Sequence, residues 1–245
     1  QNIAKPDRKN RVHLGLNCLL IQAPEANILV DAGAGSKDGQ EGETPDLSAG
    51  RVLKGLKDLG VRPMDIHCVV LTHLHHDHAG GCTRRNKRNE LVLTFPKARY
   101  LVQRAAWEDA VQPSERSKAL FRPHDLQPLK DQKVVDLLKG DQEVVRGVWL
   151  KVTNGHCRGH QVVLINQGGS RAVFWGDLVP TPYHLSLPLT LGEDQFPEET
   201  LACKREMLSK AERDGWLMLF SHGNGYDAGF LERHNGRLLL KPVRF

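Results

Sequence analysis

The stretch Leu71-Thr72-His73-Leu74-His75-His76-Asp77-His78 carries four histidines and one aspartate within six consecutive positions. The stretch overlaps the end of a run rich in β-branched residues, 67–72, and continues beyond it. That run predicts a buried strand. Imidazoles packed this closely would repel one another when protonated, and burying them is unfavourable unless a cation organises them. Imidazole nitrogens and carboxylate oxygens are ligands of zinc and its first-row neighbours. The stretch therefore predicts a metal site at the end of a strand.

The composition is that of an ordinary folded protein. Hydrophobic residues make up 40% of the 245 residues and charged residues 26%, which argues against a fibrous or disordered chain. We find no internal repeat, low-complexity tract or linker, and we therefore predict one domain over residues 1–245. No apolar stretch approaches the roughly 18 residues that span a bilayer, so no membrane role is expected.

Cysteine usage predicts the compartment. The cysteines are odd in number and none forms a C-x-x-C pair, so neither a disulfide framework nor a zinc ribbon is indicated. Reduced thiols in a cytoplasmic protein are the expectation. The residues concerned are Cys18, Cys68, Cys82, Cys157 and Cys203.

Hydrophobic patterning predicts strands interrupted by a few helices. Thr44-Pro45 has the features of a helix start, with Gly60 as its stop, and a second helix is expected at residues 198–213. The four residues 167–170 predict a hairpin turn. Residues 179–197 form a long irregular connection, a type of loop that is often functional. Strands are expected at residues 12–23, 27–31, 67–72, 99–103, 143–153, 161–166, 171–175 and 216–220.

The histidine-rich motif, His-x-His-x-Asp-His, resembles the signature of the metallo-β-lactamase superfamily and matches it at every defined position. The resemblance extends from about Asn17 to His222, with departures at Asn154, where proline is usual, and at Cys157, where threonine is usual. It implies an α/β fold of the four-layer αββα sandwich type. Its other segments are Ile28-Leu29-Val30-Asp31-Ala32-Gly33, Thr153-Asn154-Gly155-His156-Cys157-Arg158-Gly159-His160, Phe174-Trp175-Gly176-Asp177 and Phe220-Ser221-His222-Gly223.

The resemblance implies a site for two divalent metal ions. Zinc is the expected metal, and manganese, iron or cobalt would be accepted by the same donors. A hydroxide shared by the two ions would be the nucleophile. The implied ligands are His73, His75 and His156 for the first ion, Asp77, His78 and His222 for the second, and Asp177 as the bridge.

Further roles follow from the same resemblance. Asp77 is implied as a catalytic residue because it would lie beside the nucleophile and could orient it or pass a proton to the leaving group. His160 is expected to hold a ligand in place rather than to bind metal. Tyr183 and His184 follow the bridging aspartate and are candidates for polarising a substrate carbonyl. His76 occupies the variable position of the motif and is expected to be exposed.

The superfamily carries many activities on one fold, so the substrate is predicted by subtraction. True class B β-lactamases lack the bridging aspartate, and glyoxalase II adds a helical region, whereas only 23 residues follow His222 here. The compact group of N-acyl-homoserine lactonases and methyl parathion hydrolase shares the motif order. We therefore predict an enzyme that hydrolyses an ester or lactone bond in a small molecule.

Other functions remain open at this point. The net charge of +5 and the run Arg84-Arg85-Asn86-Lys87-Arg88 would suit a phosphodiesterase or nuclease if these charges lined the cleft. A thioesterase of the glyoxalase II type and a metal-stabilised binding scaffold are the further alternatives. Nucleic acid is not the expected partner because no aromatic residues interleave the basic run. A homodimer is the assembly most common among soluble proteins.

Overall fold

The computed structural model describes residues 6–35, 37, 51–225 and 227–243, which form two large sheets with helices outside them. No helix within these ranges has both the length and the apolar character that a membrane crossing requires. The helices are α1 (Arg51–Asp58), α2 (His76–Ala79), α3 (Arg104–Val111), α4 (Pro123–Asp131) and α5 (Pro197–Arg213). The strands are β1 (Leu19–Gln22), β2 (Asn27–Val30), β3 (Cys68–Val70), β4 (Thr83–Arg85), β5 (Leu91–Leu93), β6 (Arg99–Gln103), β7 (Val135–Leu138), β8 (Gln142–Val145), β9 (Val148–Val152), β10 (Gln161–Gln167), β11 (Ser170–Phe174), β12 (Leu217–Leu219), β13 (Ala228–His234) and β14 (Arg237–Pro242).

The two sheets differ in strand direction. The first has the order β1-β2-β3-β6-β7, and its strands from β2 onward are parallel. The second has the order β14-β13-β12-β11-β10-β9-β8 and is antiparallel except for the parallel pair β11 and β12. Strands β4 and β5 pair only with each other, as a separate hairpin.

Burial on both faces of each sheet defines four layers. Ile28 of β2 packs in a cluster that also contains Leu150 and Phe174 of the second sheet. Because successive strand residues face opposite sides, the neighbouring Leu29 packs instead with apolar residues of α1, α3 and α4. The outer face of the second sheet packs against α5 through residues such as Val173. The order helix, sheet, sheet, helix confirms the predicted αββα sandwich.

The sheets also carry the predicted site residues to one place. Each of four strands ends a few residues before one of them, so that rigid strands fix the start of every loop concerned. The pairs of strand and residue are β3 with His73, β9 with His156, β11 with Asp177, and β12 with His222.

Several local predictions need correction. The single strand predicted over residues 143–153 is wrong, because the chain reverses at Gly147 (φ 84°) to form the β8–β9 hairpin. Of residues 12–23, only Leu19–Gln22 forms a strand. The backbone N–H groups of Gly15 and Asn17 instead donate to the loop after β12. The predicted helix start at Thr44-Pro45 lies outside the described residues. The hairpin turn at residues 167–170 is confirmed.

Helices α3 and α4 were not predicted. Both are short, and α4 contains Pro128 in its interior, which weakens the helical pattern of the sequence. Their buried faces nevertheless cover the first sheet, with Ala106 and Leu129 in its outer cluster. Tertiary packing therefore stabilises helices that local propensity alone would not indicate.

Candidate metal centre

The seven predicted ligands converge where the ends of the two sheets meet. Three groups of side chains each offer ligand atoms that lie within 4.8 Å of one another and could hold a metal ion. These groups are His73, His75 and His156; His73, His78 and Asp177; and Asp77, His78 and His222.

Asp177 lies between the two histidine sets. Its Oδ2 atom is 3.4 Å from His156 Nε2 and 4.0 Å from His73 Nε2. Its Oδ1 atom is 3.1 Å from His222 Nε2 and 3.3 Å from His78 Nε2. The two oxygens of one carboxylate therefore face different imidazoles, which is the arrangement that a carboxylate bridging two cations requires.

Asp77 lies at the more open side of the cluster. Its Oδ2 atom is 3.7 Å from the Nε2 atoms of both His78 and His222, and its side chain is 28% exposed. The side chain of the adjacent His76 is 33% exposed, and its Nδ1 atom is 3.9 Å from Asp77 Oδ1. His76 belongs to none of the three groups that could hold a metal ion.

Burial keeps several of these imidazoles neutral. It holds the pKa of His73 well below its usual range and lowers the pKa of His75 to about 3, with the neighbouring imidazoles acting in the same direction. Although burial alone would raise the pKa of Asp177, the surrounding histidines, His222 first, hold it well below its usual range. Neutral imidazoles and an ionised carboxylate have the free lone pairs that metal ligation needs.

The pKa shifts of the second histidine set have the opposite direction. Burial would lower the pKa of His78, but the carboxylates of Asp177 and Asp77 outweigh it and raise this pKa well above its usual range. The pKa of His222 is raised for the same reason. These carboxylates therefore favour positive charge between them, and a divalent ion would provide it.

A buried nitrogen atom without a hydrogen-bond partner also fits a metal ion at this position. The Nε2 atom of His73 is buried and has no hydrogen-bond partner among the described residues, although buried polar atoms are usually paired. His73 Nε2 is the atom that faces the carboxylate of Asp177. A cation at this position would satisfy an atom that is otherwise left unpaired.

Hydrogen bonds outside the cluster aim three of the imidazoles inward. Asp31 accepts from His78 Nδ1 at 2.8 Å and from the backbone N–H of Thr72 at 2.8 Å. Asp194 lies 2.9 Å from His156 Nδ1, and the backbone carbonyl of Gly15 lies 2.8 Å from His222 Nδ1. In each case, bonding at Nδ1 leaves the Nε2 atom facing the cluster, which is how the supporting groups of metal-binding histidines act.

Sequence reasoning did not assign these three supporting contacts. For Asp31 the sequence does carry a signal, because it lies in the segment 28–33 that resembles the superfamily. Asp194 lies in the irregular connection before α5, and Gly15 contributes a backbone atom. No local pattern would have identified either of these two.

His160 is fully buried beside the cluster. Its Nε2 atom accepts a hydrogen bond from the backbone N–H of Asp177 at 3.0 Å, and its Nδ1 atom lies 2.6 Å from Thr153 Oγ1. Gly176 is packed so closely on it that an added Cβ atom would lie 2.7 Å from His160 Nε2. His160 therefore contacts the backbone that carries Asp177, and it is not part of any group that could hold a metal.

Tyr183 and His184 lie in a short 3₁₀ turn, Pro182–Leu185, and both are half-buried. His184 Nδ1 is 2.8 Å from Thr181 Oγ1. Burial, followed by the charge of Lys204, lowers the pKa of His184 to about 4. Neither residue belongs to the groups that could hold a metal ion.

The sequence profile of the metallo-beta-lactamase superfamily matches residues 13–222 of this chain. That range covers most of the 245 residues and includes all seven residues of the cluster. The chain therefore belongs to the metallo-beta-lactamase superfamily.

Known proteins similar to this chain include lactonases. An N-acyl homoserine lactonase of Bacillus thuringiensis is 34% identical over 173 residues, which cover 65% of this chain and 62% of that protein. The match thus spans less than two thirds of the relative's length.

Solved structures agree with the fold. A probable metal-dependent hydrolase from Staphylococcus aureus has a TM-score of 0.84 and 24% identity, covering 99% of this chain and 87% of that one. An N-acyl homoserine lactone hydrolase with the product N-hexanoyl-L-homoserine bound at its catalytic metal centre has a TM-score of 0.63 and 27% identity, covering 86% of this chain and 82% of that one.

Proposed function

We propose that this protein is a dinuclear metal-dependent hydrolase that opens a lactone or related ester, with N-acyl homoserine lactones as the first substrates to test. The observation that carries the proposal is the position of Asp177, whose two carboxylate oxygens face separate histidine sets at 3.1–4.0 Å. The lactonase relatives support the choice of bond.

We assign the ligands as the sequence predicts. The first metal position would use His73, His75 and His156, and the second would use Asp77, His78 and His222, with Asp177 shared between them. Two bound divalent ions would supply a water of lowered pKa and would stabilise the negative charge that forms on the attacked carbonyl. Zinc is our proposed metal because of the nitrogen and oxygen donors, and manganese, iron or cobalt would fit the same set.

The chain's own groups would then orient and move protons. Asp77 Oδ2 faces both His78 and His222, yet the side chain remains partly open to solvent. It could therefore orient a water on one side and deliver a proton to the leaving alkoxide on the other. His160 would hold the backbone of Asp177, and His184 or Tyr183 would polarise the substrate carbonyl.

The phosphodiesterase alternative receives less support. The basic residues Arg84, Lys87 and Arg88 line a surface depression with Asn86 and Glu90, at the hairpin of β4 and β5. None of the seven cluster residues lines that depression. These charges therefore line a surface depression to which the cluster residues do not contribute.

Four wider properties belong to the same proposal. We propose one domain over residues 1–245, since apolar clusters join the two sheets and cover both of their outer faces. All five cysteines are free, which supports a reducing compartment such as the cytoplasm. The substrate would be a small molecule, and a homodimer would be the first assembly to test.

A substrate panel tests the activity. Purified protein would be assayed with N-hexanoyl homoserine lactone, a p-nitrophenyl ester, a glutathione thioester and bis-p-nitrophenyl phosphate, before and after treatment with a chelator. We expect fastest turnover of the lactone, with activity lost on chelation and restored by zinc. Preference for the phosphodiester or thioester would replace the proposed substrate class, and chelator-resistant lactone turnover would contradict the metal mechanism.

A further inference from the structure

One carboxylate near the cluster lies on an irregular segment rather than at the end of a strand. Asp194 is 2% exposed, and its Oδ1 atom is 2.9 Å from His156 Nδ1. Its Oδ2 atom is buried and has no hydrogen-bond partner in the described ranges. Asp194 belongs to none of the groups that could hold a metal ion, so its direct contact with the cluster is through His156.

Asp194 lies within residues 186–196, which we name the docking segment. Immediately after Asp194, the backbone N–H of Gln195 donates to the carbonyl of His156 at 2.9 Å, and that of Phe196 donates to the carbonyl of Gly155 at 2.8 Å. The carboxylate can therefore reach the imidazole only while the segment is paired with the loop that carries His156.

The other end of the docking segment is held by a buried cation. Lys204 of α5 is 0% exposed, and its Nζ atom donates to the carbonyls of Ser186, Leu187 and Leu189 at 3.1, 3.3 and 2.6 Å. Burying an ammonium group is unfavourable unless its donors are satisfied. All three acceptors come from the docking segment, so α5 holds this segment by a polar anchor rather than by apolar packing alone.

We propose that Asp194 is a positioning residue for the first metal position and that docking of residues 186–196 is coupled to occupancy of that position. The Asp194 carboxylate fixes the His156 imidazole with its proton on Nδ1 and its lone pair on Nε2, the atom that faces Asp177. By thermodynamic linkage, a metal ion that requires this orientation stabilises the docked segment to the same extent that docking strengthens metal binding. The inference rests on the proposed ligation of metal by His156.

The test measures stepwise zinc affinity by competition with a chromogenic chelator. Asp194→Asn keeps the shape of the side chain but removes its charge, and Asp194→Ala removes the contact. We expect one of the two ions to bind roughly 10- to 100-fold more weakly in each variant, as is usual when such a partner is lost, while the other keeps its affinity. Glu193→Gln, at the exposed neighbouring position, is the matched control and should bind both ions like the unaltered protein.

A second measurement does not depend on affinity. Hydrogen exchange at the amides of Gln195 and Phe196 should slow when zinc is added to the unaltered protein, and this response should be lost in Asp194→Ala. Lys204→Met should speed hydrogen exchange across the docking segment. It should also weaken binding of the same ion that the Asp194 variants bind weakly. Circular dichroism would establish that each variant is folded.

The outcomes separate the two proposals. If folded Asp194→Ala binds both ions with unaltered affinity, or if zinc leaves the exchange of the two amides unchanged, the positioning role is overturned while the dinuclear site stands. If the unaltered protein binds no metal at all, the proposed function fails and this inference fails with it.

Discussion

Two carboxylates support different histidines of the candidate metal centre, and they differ in how the chain holds them. Asp31 follows strand β2 directly and accepts from both the backbone N–H and the hydroxyl of Thr72 as well as from His78. Asp194 lies in an irregular segment, and within the described part of the chain its side chain hydrogen-bonds only to His156. Asp31 is thus part of the junction between two strand ends, whereas Asp194 depends on a loop that must dock.

The two halves of the centre should therefore respond differently when the supporting carboxylate is substituted. On the Asp31 side, folding and ligand orientation use the same carboxylate, so one substitution should affect both. On the Asp194 side, ligand orientation can be lost while the fold remains.

The largest effect is expected for Asp31→Asn. The amide cannot accept all the hydrogen bonds that the carboxylate accepts, and a donor left unsatisfied in a buried site costs about 1–3 kcal/mol. We expect the metal-free protein to lose about that free energy of unfolding in denaturant titrations and to bind metal more weakly. Asp58→Asn, at an exposed ion pair with Lys54, is the control and should change neither quantity. Unaltered stability of metal-free Asp31→Asn would contradict the proposed role of Asp31 in folding.

Gly155→Ala should produce the next largest effect by preventing docking. Gly155 has φ of +80°, and an added Cβ atom would lie 2.5 Å from Thr200 Oγ1 and 2.7 Å from its backbone nitrogen. Strain of this kind costs on the order of 1–3 kcal/mol, and we expect weaker zinc binding because the clash would separate the loop of His156 from the start of α5, which directly follows the docking segment. Gly168→Ala is the matched control, since its φ of +58° is also positive but no atom lies within 4 Å of the added Cβ. Equal zinc affinity in the two variants would show that docking of the segment does not affect metal binding.

Asp194→Asn should affect metal binding without affecting the metal-free fold. The carboxylate makes no side-chain contact other than that with His156 among those the structure describes. Thermal unfolding without metal should therefore match the unaltered protein, whereas the rise in melting temperature on adding zinc should be smaller. A drop in the metal-free melting temperature comparable to that of Asp31→Asn would remove the distinction between the two sides.

The smallest effect is expected at the basic hairpin. Arg88→Gln removes a charge from an exposed turn. Arg88 lines a surface depression to which none of the cluster residues contributes. At physiological ionic strength such a charge is screened beyond about 8 Å, so kcat/KM for a lactone should change less than about twofold. A larger loss that grows as salt is lowered would favour an anionic substrate and revive the phosphodiesterase alternative.

The sequence was sufficient to predict the fold class and the convergence of seven side chains. The prediction came from the resemblance of several short motifs to one superfamily, and those motifs converge because strands packed on both faces end just before His73, His156, Asp177 and His222. The motif from His73 to His78 is also local, so its residues could not lie far apart.

Contacts between distant segments could not be predicted from the sequence. Asp194 reaches His156 across 38 residues and Gly15 reaches His222 across 207, and no short pattern encodes either approach. Helix α4 was missed because its interior proline disrupts the periodicity, although Leu129 is fully buried. Loop docking and backbone carbonyl contacts depend on the assembled tertiary structure, which residue spacing alone does not specify.

The central claim is that Asp177 bridges two cations. Elemental analysis of protein purified gently at neutral pH, run beside folded Asp177→Ala, tests it most directly. We expect close to two first-row metal ions per chain in the unaltered protein, a clear fall in metal content in the variant, and lactone hydrolysis that falls with it. Absence of metal in the unaltered protein, or two ions retained by a fully active Asp177→Ala, would contradict it.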